Sequence, residues 1–184
     1  MSQSPTFKNQ PNILHKIDGK EIWEARYVAI EAIIFAIYND SIYVLVEKRS
    51  SIMDEAGKWC LPCGYIDWSE SGWDAAVRET FEETSLYIPK YDYFLVTDND
   101  KKPFEVITDP DNYKQHIVLE YCVIFDFGSY EKRFPIEIMD HKNKEVTEIK
   151  WMFIEDVFKS EYVWAFEHDT HIENAVNHFK KFLI

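Results

Sequence analysis

The chain has 184 residues, of which 33 are acidic and 20 basic, giving a formal net charge of -13, and 46% are hydrophobic. That length suits one domain, and the apolar share is enough to build a core, so global disorder is excluded. The acidic balance argues against a nucleic-acid-binding surface, which needs Lys and Arg facing phosphates; an anionic small molecule remains admissible only if something other than average charge neutralises it.

Met1 to Lys16 is polar, carries Pro5 and Pro11 and lacks an apolar run. It is therefore read as a flexible tail (1–16), not a secretory signal, ahead of a single domain (17–184); Ile13 and Leu14 are the residues that could dock it. No stretch approaches the ~18 apolar residues of a membrane span. The three cysteines, Cys60, Cys63 and Cys122, are too few for a disulfide scaffold, so a reducing cytoplasm is the simplest setting.

Arg26–Tyr38 and Ile42–Glu47 are rich in Ile, Val, Ala and Phe, with the turn formers Asn39, Asp40 and Ser41 between them. They predict a hairpin of buried strands. Trp59 to Ile66 is a short apolar run broken by Pro62 and Gly64. From Ser71 to Leu86 the period changes: Trp73, Ala76, Val77, Thr80, Phe81 and Thr84 form one stripe of an amphipathic helix. Ser71 with Asp74 gives its capping-box start, and Pro89 follows its end. Tyr91–Thr97 reads as a strand and Asp98–Lys114 as a long loop or hairpin excursion. Ile117–Phe127 and Glu148–Ile154 read as strands, Glu155–Lys159 as a helical turn, and His168–Leu183 as a terminal helix. Several strands, two real helices and no regular βαβ alternation predict an α/β (α+β) fold, a mixed sheet covered by helices.

The polar side of the Ser71–Leu86 helix carries the chemistry. Glu79, Glu82 and Glu83 fall within an arc of roughly 100°. Carboxylates at such spacing repel one another by a few tenths of a kcal/mol per pair, and the C-terminal half of a helix disfavours anions. Only Arg78 is at hand to offset them. A bound cation explains an arrangement that costs energy, and oxygen donors without His or Cys point to Mg²⁺ or Mn²⁺. The competing explanation is a solvated acidic face, common in a protein of this charge.

Gly64, five residues, Glu70, seven residues and then Arg78-Glu79-Thr80-Phe81-Glu82-Glu83-Thr84-Ser85-Leu86 resembles the Nudix box, G-x5-E-x7-R-E-U-x-E-E-x-G-U. Thr80 replaces an apolar residue, and Ser85 replaces a glycine at the helix end, where a displaced terminus is expected. Trp59-Cys60-Leu61-Pro62-Cys63-Gly64 resembles the family's W-x-L-P-G-G lead-in, with Cys63 for the first glycine. Ala165-Phe166-Glu167-His168 with Ile172 and Ala175 resembles the A-F-D-H-x-x-x-I-x-x-A tail of one subset.

The resemblance implies a Nudix-type α/β/α sandwich and a hydrolase of nucleoside diphosphate derivatives. It implies that Glu79, Glu82 and Glu83 hold Mg²⁺ (Mn²⁺ being the alternative), with Glu82 doubling as general base. Arg78 would orient a glutamate, Glu70 support the loop and Gly64 supply a tight turn. The family often takes its base from outside the box, which brings in Glu120, Glu145 and Glu148. Arg49 would contact phosphate or cap its strand. One of Trp59, Tyr65, Trp68 and Trp73 could stack a base. The tail tilts the substrate toward ADP-ribose or a sugar nucleotide; a nucleoside triphosphate hydrolase and a non-catalytic nucleotide sensor are the other readings. The expected partner is a small nucleotide, with no nucleic acid or membrane; a homodimer is a family expectation. The Cys60-x-x-Cys63 pair has redox or half-zinc-site spacing but is read as structural; His168 and His171, at i and i+3, could bind a metal but are read as surface residues at a helix start.

Overall fold

The longest apolar run becomes the central strand. In the computed structural model, which describes residues 13–96, 101–108, 116–129, 134, 136 and 144–183, β3 (Val28–Tyr38) lies between β4 (Ser41–Arg49) and β8 (Ile117–Asp126). It runs antiparallel to β4 and parallel to β8. Strands buried on both faces read as continuous hydrophobic runs, as the sequence of β3 does. The β3–β4 turn is made by Asn39 and Asp40, both with positive φ (49° and 57°), a conformation Asn and Asp tolerate.

Short strands complete the sheet. β5 (Trp59–Cys60) pairs with β4, β6 (Cys63–Tyr65) with β3, β7 (Glu105–Ile107) with β8, and β9 (Val146–Phe153) with β4. Helix α1 (Gly72–Thr84) packs on one face, where Ala75 and Ala76 meet Ile30, Ala32, Ile34 and Leu45. On the other face α2 (Ile154–Val157), α3 (His168–His178) and α4 (Lys180–Leu183) bring Val157, Ile172, Ala175 and Leu183 against Ile33, Phe35, Val44 and Ile124. The architecture is thus an α/β/α sandwich around a mixed sheet.

Three expectations change. Ile13–Lys16 do not belong to a tail: β1 (Ile13–Ile17) pairs antiparallel with β2 (Lys20–Glu24), closed by Asp18 and Gly19 at positive φ. Residues 1–12 lie outside the described set. The expected strand Tyr91–Thr97 is instead a 3₁₀ helix, Ile88–Phe94, with Pro89 in its first turn. Pro89 fixes φ and removes a donor, and the ring of Tyr91 packs edge-on against Phe125 and Phe127; only Leu95 keeps a bridge to the sheet, and Thr97 is outside the described residues. The segment 98–114, read as a loop or hairpin excursion, contains β7, which pairs antiparallel with β8; its remainder lies partly outside the described residues. The terminal helix breaks at Phe179 into α3 and α4.

Helix α1 starts as expected, with Ser71 and Asp74 forming a reciprocal capping box. Its buried face is rotated from the expected stripe: Ala75, Ala76, Thr80, Glu83 and Thr84 are buried, whereas Phe81 is 50% exposed and meets Tyr87 edge-on. Thr80 occupies its fully buried site by donating Oγ1–H to the Ala76 carbonyl at 2.7 Å. The helix end is not displaced. Ser85 itself takes the left-handed conformation (φ 61°, ψ 8°), and its N–H bonds the Phe81 carbonyl. A side chain there costs roughly 1 kcal/mol relative to glycine. Ser85→Gly should therefore stabilise the protein by about that amount, raising the thermal midpoint by about 2–4 °C, as measured by calorimetry.

Candidate active site

The segment from Trp59 to Gly64 brings the sheet to the start of α1, and its backbone is what the α1 carboxylates meet. Gly64 sits against Glu79 so closely that a Cβ would overlap the carboxylate. Its neighbour Cys63 donates its backbone N–H to Glu83 Oε2 at 3.0 Å. Cys63 is not among the positive-φ residues, so the side chain in place of the family's first glycine carries no backbone strain.

Arg78 gathers the acids. Its Nη2 and Nε donate to Glu70 Oε1 (2.7 Å) and Oε2 (3.1 Å), a bidentate pair. Nη1 donates to Glu79 Oε1 at 2.8 Å and to Glu82 Oε2 at 3.1 Å, and Nη2 also reaches the Tyr65 carbonyl at 3.0 Å. Glu70 in turn accepts the Asp67 N–H at 2.7 Å. This hydrogen bonding, chiefly from Arg78, holds the Glu70 carboxyl below its ordinary value.

The three α1 glutamates are graded in exposure. The Glu82 side chain is 54% exposed and that of Glu79 14%, whereas Glu83 is buried. Burial raises the pKa of Glu79 despite Arg78, and raises that of Glu83 well above the carboxylate range, with neighbouring carboxylates adding to it.

One member of this group escapes the sequence reading. Glu47 of β4 is 1% exposed and shares its face of the sheet with Leu45, toward α1. Its pKa is pushed up to about 8 by burial, and the charges of Glu145 and Glu79 add to the rise. Oε1 accepts a weak Cys60 Sγ–H bond at 3.5 Å, while the buried Oε2 has no hydrogen-bond partner. A buried carboxylate oxygen without a donor, beside Glu79 and Glu83, is the observation that tests the fit of a cation: the all-oxygen donor set of Glu47, Glu79, Glu82 and Glu83 suits Mg²⁺ or Mn²⁺. The signal available in the sequence was a lone acid at the end of the apolar run Ile42–Val46, before Lys48 and Arg49.

The acids expected outside the box separate. Glu145 contributes repulsion to Glu47, Glu79 and Glu83, which places its charge beside the α1 group. Glu120 is not brought there: it projects from β8 toward α3, with His171 Nδ1 3.1 Å from its Oε1. Glu148 pairs in register with Lys48 on β9. Arg49 is 8% exposed, donates Nε–H to the Asp54 carbonyl at 2.6 Å and lies over the Phe166 ring at 4.9 Å. Cys60 and Cys63 are free thiols whose pKa values burial raises, so they are poor nucleophiles. Of the aromatics, Trp68 is 99% exposed, Trp59 is buried, and Trp73 packs beside Tyr121 in the core. His168 and His171, expected at the surface, are instead fully buried and largely buried. The reason is that α3 begins against the sheet.

Together, these features define a carboxylate-rich site at a glycine-supported strand-to-helix junction, the kind that binds phosphate through a divalent cation. The NUDIX domain family matches residues 14–174, and the chain belongs to this family. Membership of this family supports a hydrolase acting on pyrophosphate bonds. The NUDIX domain of Shewanella oneidensis NrtR complexed with ADP ribose is similar over 84% of this chain and 88% of its own, with 21% identity and a TM-score of 0.58. A MutT/nudix family protein from Enterococcus faecalis is similar over 87% of this chain and 64% of its own, at 17% identity and a TM-score of 0.64. The C. elegans Ap4A hydrolase matches over 85% and 97%, at 22% identity and a TM-score of 0.58. Among the described residues, no helix is long and apolar enough to cross a membrane.

The buried carboxyls set a pH dependence. Glu47 titrates near 4.5 when unfolded and near 8 when folded, so the native state holds the extra proton between those values. The linkage slope is negative there, and stability falls as pH rises. The metal-free protein should melt at a lower temperature at pH 8 than at pH 6. Glu47→Gln should reduce that difference, and added Mg²⁺ should stabilise wild type more at pH 8 than at pH 6; differential scanning fluorimetry reads all three.

Proposed function

We propose that the protein is a Mg²⁺-dependent pyrophosphohydrolase that cleaves the diphosphate linkage of a nucleoside diphosphate derivative, with ADP-ribose-like or sugar-nucleotide substrates favoured. The observation that carries this reading is the Arg78 hub, which holds Glu79 and Glu82 in position while leaving Glu82 half exposed to solvent. Glu79, Glu82 and Glu83 would hold the cation, with Glu47 as a further oxygen donor on the sheet side. Bound there, Mg²⁺ neutralises diphosphate charge and lowers the pKa of an attacking water.

The chain's own residues do the rest. Arg78 aims its carboxylates and cancels part of their mutual repulsion, so the acids are preorganised before substrate arrives. The Cys63 N–H fixes Glu83. Glu82, the most exposed of the three, is the first choice for taking a proton from water; Glu145 is the alternative outside the box, because its charge reaches Glu79 and Glu83. The preference for ADP-ribose over triphosphates rests on the Ala165–His168 tail and on the NrtR domain complexed with ADP ribose. The action of the Ap4A hydrolase keeps a dinucleoside polyphosphate in the panel. A cytoplasmic setting and a homodimer complete the reading.

With Mg²⁺ or Mn²⁺, purified protein should release nucleoside monophosphate from ADP-ribose or a sugar nucleotide faster than from dNTPs, measured by chromatography of the products. Glu82→Gln or Glu83→Gln should lower the rate by roughly two orders of magnitude or more while the fold is kept. Turnover confined to triphosphates would replace the substrate class. Metal-dependent nucleotide binding without turnover across the panel would instead establish a sensor.

A further inference from the structure

A second group of ionisable side chains lies on the α3 face of the sheet, away from the box, and has no part in the reaction above. Glu31 and Glu120 are register partners on the adjacent parallel strands β3 and β8, so their side chains leave the same face side by side. Glu31 is the lone charged residue of β3 and is 6% exposed; Glu120 is 1% exposed. His171, in the first turns of α3, meets both: its Nδ1 is 2.7 Å from Glu31 Oε2 and 3.1 Å from Glu120 Oε1.

His168 plays a different part. Its Nδ1 accepts the Leu61 N–H at 2.9 Å, so the ring proton sits on Nε2, which faces Glu31 Oε1 at 3.2 Å. With Nδ1 committed to the Leu61 N–H, His168 cannot shift its proton to the other ring nitrogen and is a positioning residue for Glu31, whereas His171 Nδ1 offers its lone pair once a cation displaces the proton it holds against Glu31. Glu120 has only the His171 contact, outside hydrogen-bond geometry. Both of its oxygens are buried and neither has a hydrogen-bond partner. Burying a carboxylate in that state is costly unless a proton or a cation answers it. Two carboxylate oxygens, 2.7 and 3.1 Å from one imidazole nitrogen, lie within the spacing of ligands that share one ion, each bound at about 2.0–2.2 Å.

We propose that Glu31, Glu120 and His171 form a second divalent-metal site, taking a transition ion such as Zn²⁺, with water completing the shell. An imidazole nitrogen among carboxylates selects such an ion over Mg²⁺. The ion would pin β3, β8 and α3 together, and through His168 and Leu61 it would brace the strand segment leading to Gly64. The site is independent of the nucleotide reading and survives its failure.

The test is a titration of tag-free, full-length protein with Co²⁺ and Zn²⁺ in excess Mg²⁺. The box offers oxygen donors alone, so a nitrogen-bound ion reports on this site. One equivalent of Co²⁺ should give a visible absorption band that Zn²⁺ displaces, and zinc X-ray absorption should show an imidazole shell. His171→Ala should weaken Zn²⁺ binding by at least about tenfold, and Glu82→Gln should leave it unchanged. Glu120→Gln repeats the test with a near-isosteric side chain, should His171→Ala fail to fold. Binding that is unaltered in both ligand variants, or no nitrogen-bound ion in wild type, overturns the proposal.

Discussion

The candidate active site depends on one guanidinium. Arg78 reaches Glu70, Glu79, Glu82 and the Tyr65 carbonyl at once, tying the loop before the helix to the helix itself. Without it, carboxylates at i, i+3 and i+4 would repel one another at the end of a helix whose dipole also disfavours them. Lysine could not replace it, because a single ammonium cannot make the bidentate pair with Glu70 while also reaching two other acids. The arrangement then requires close approach of loop and helix, which is why residue 64 has no side chain. Glu83 lies beyond the reach of the hub and is fixed instead by the Cys63 N–H.

How much of this was legible follows from which residues obey local rules. The α1 glutamates share a face by helical period alone, and the Ser71–Asp74 cap and the Asn39–Asp40 turn are written in neighbouring residues. Glu47 was not legible as a site residue, since its burial depends on α1 and β5 covering β4 from distant parts of the chain. The 3₁₀ segment Ile88–Phe94 was missed because its β-prone aromatics serve packing against Phe125 and Phe127, which outweighed propensity. His168 and His171 looked like surface residues because helix starts usually are; here Ala165 N–H bonds the Trp59 carbonyl, drawing the start of α3 onto the sheet. Glu31 did carry a signal, a single charge within eleven otherwise uncharged residues.

The two departures from the family glycines have unequal physical weight. Cys63 lies in an ordinary strand conformation, and its backbone N–H serves the site without strain. Ser85 holds a left-handed conformation that a Cβ disfavours. The capping bond from its N–H to Phe81 is retained, so the cost falls on stability and leaves the placement of Glu82 and Glu83 intact. A consensus pattern scores both positions alike; backbone geometry separates them.

The net charge of -13 divides along the same lines. Most of it is solubilising surface, which repels polyanions. A minority, Glu47 and Glu83 on the α1 face and Glu31 and Glu120 on the α3 face, is buried. Buried carboxylates destabilise a fold unless something positive meets them, and the two faces meet that demand differently: the α3 face supplies imidazoles, whereas the α1 face supplies one arginine for its more exposed acids and leaves a Glu47 oxygen without a donor. On the α1 face that oxygen lies where a cation and a diphosphate would have to meet. An acidic protein could bind an anion under those conditions, because a local deficit of positive charge would recruit the metal that attracts it.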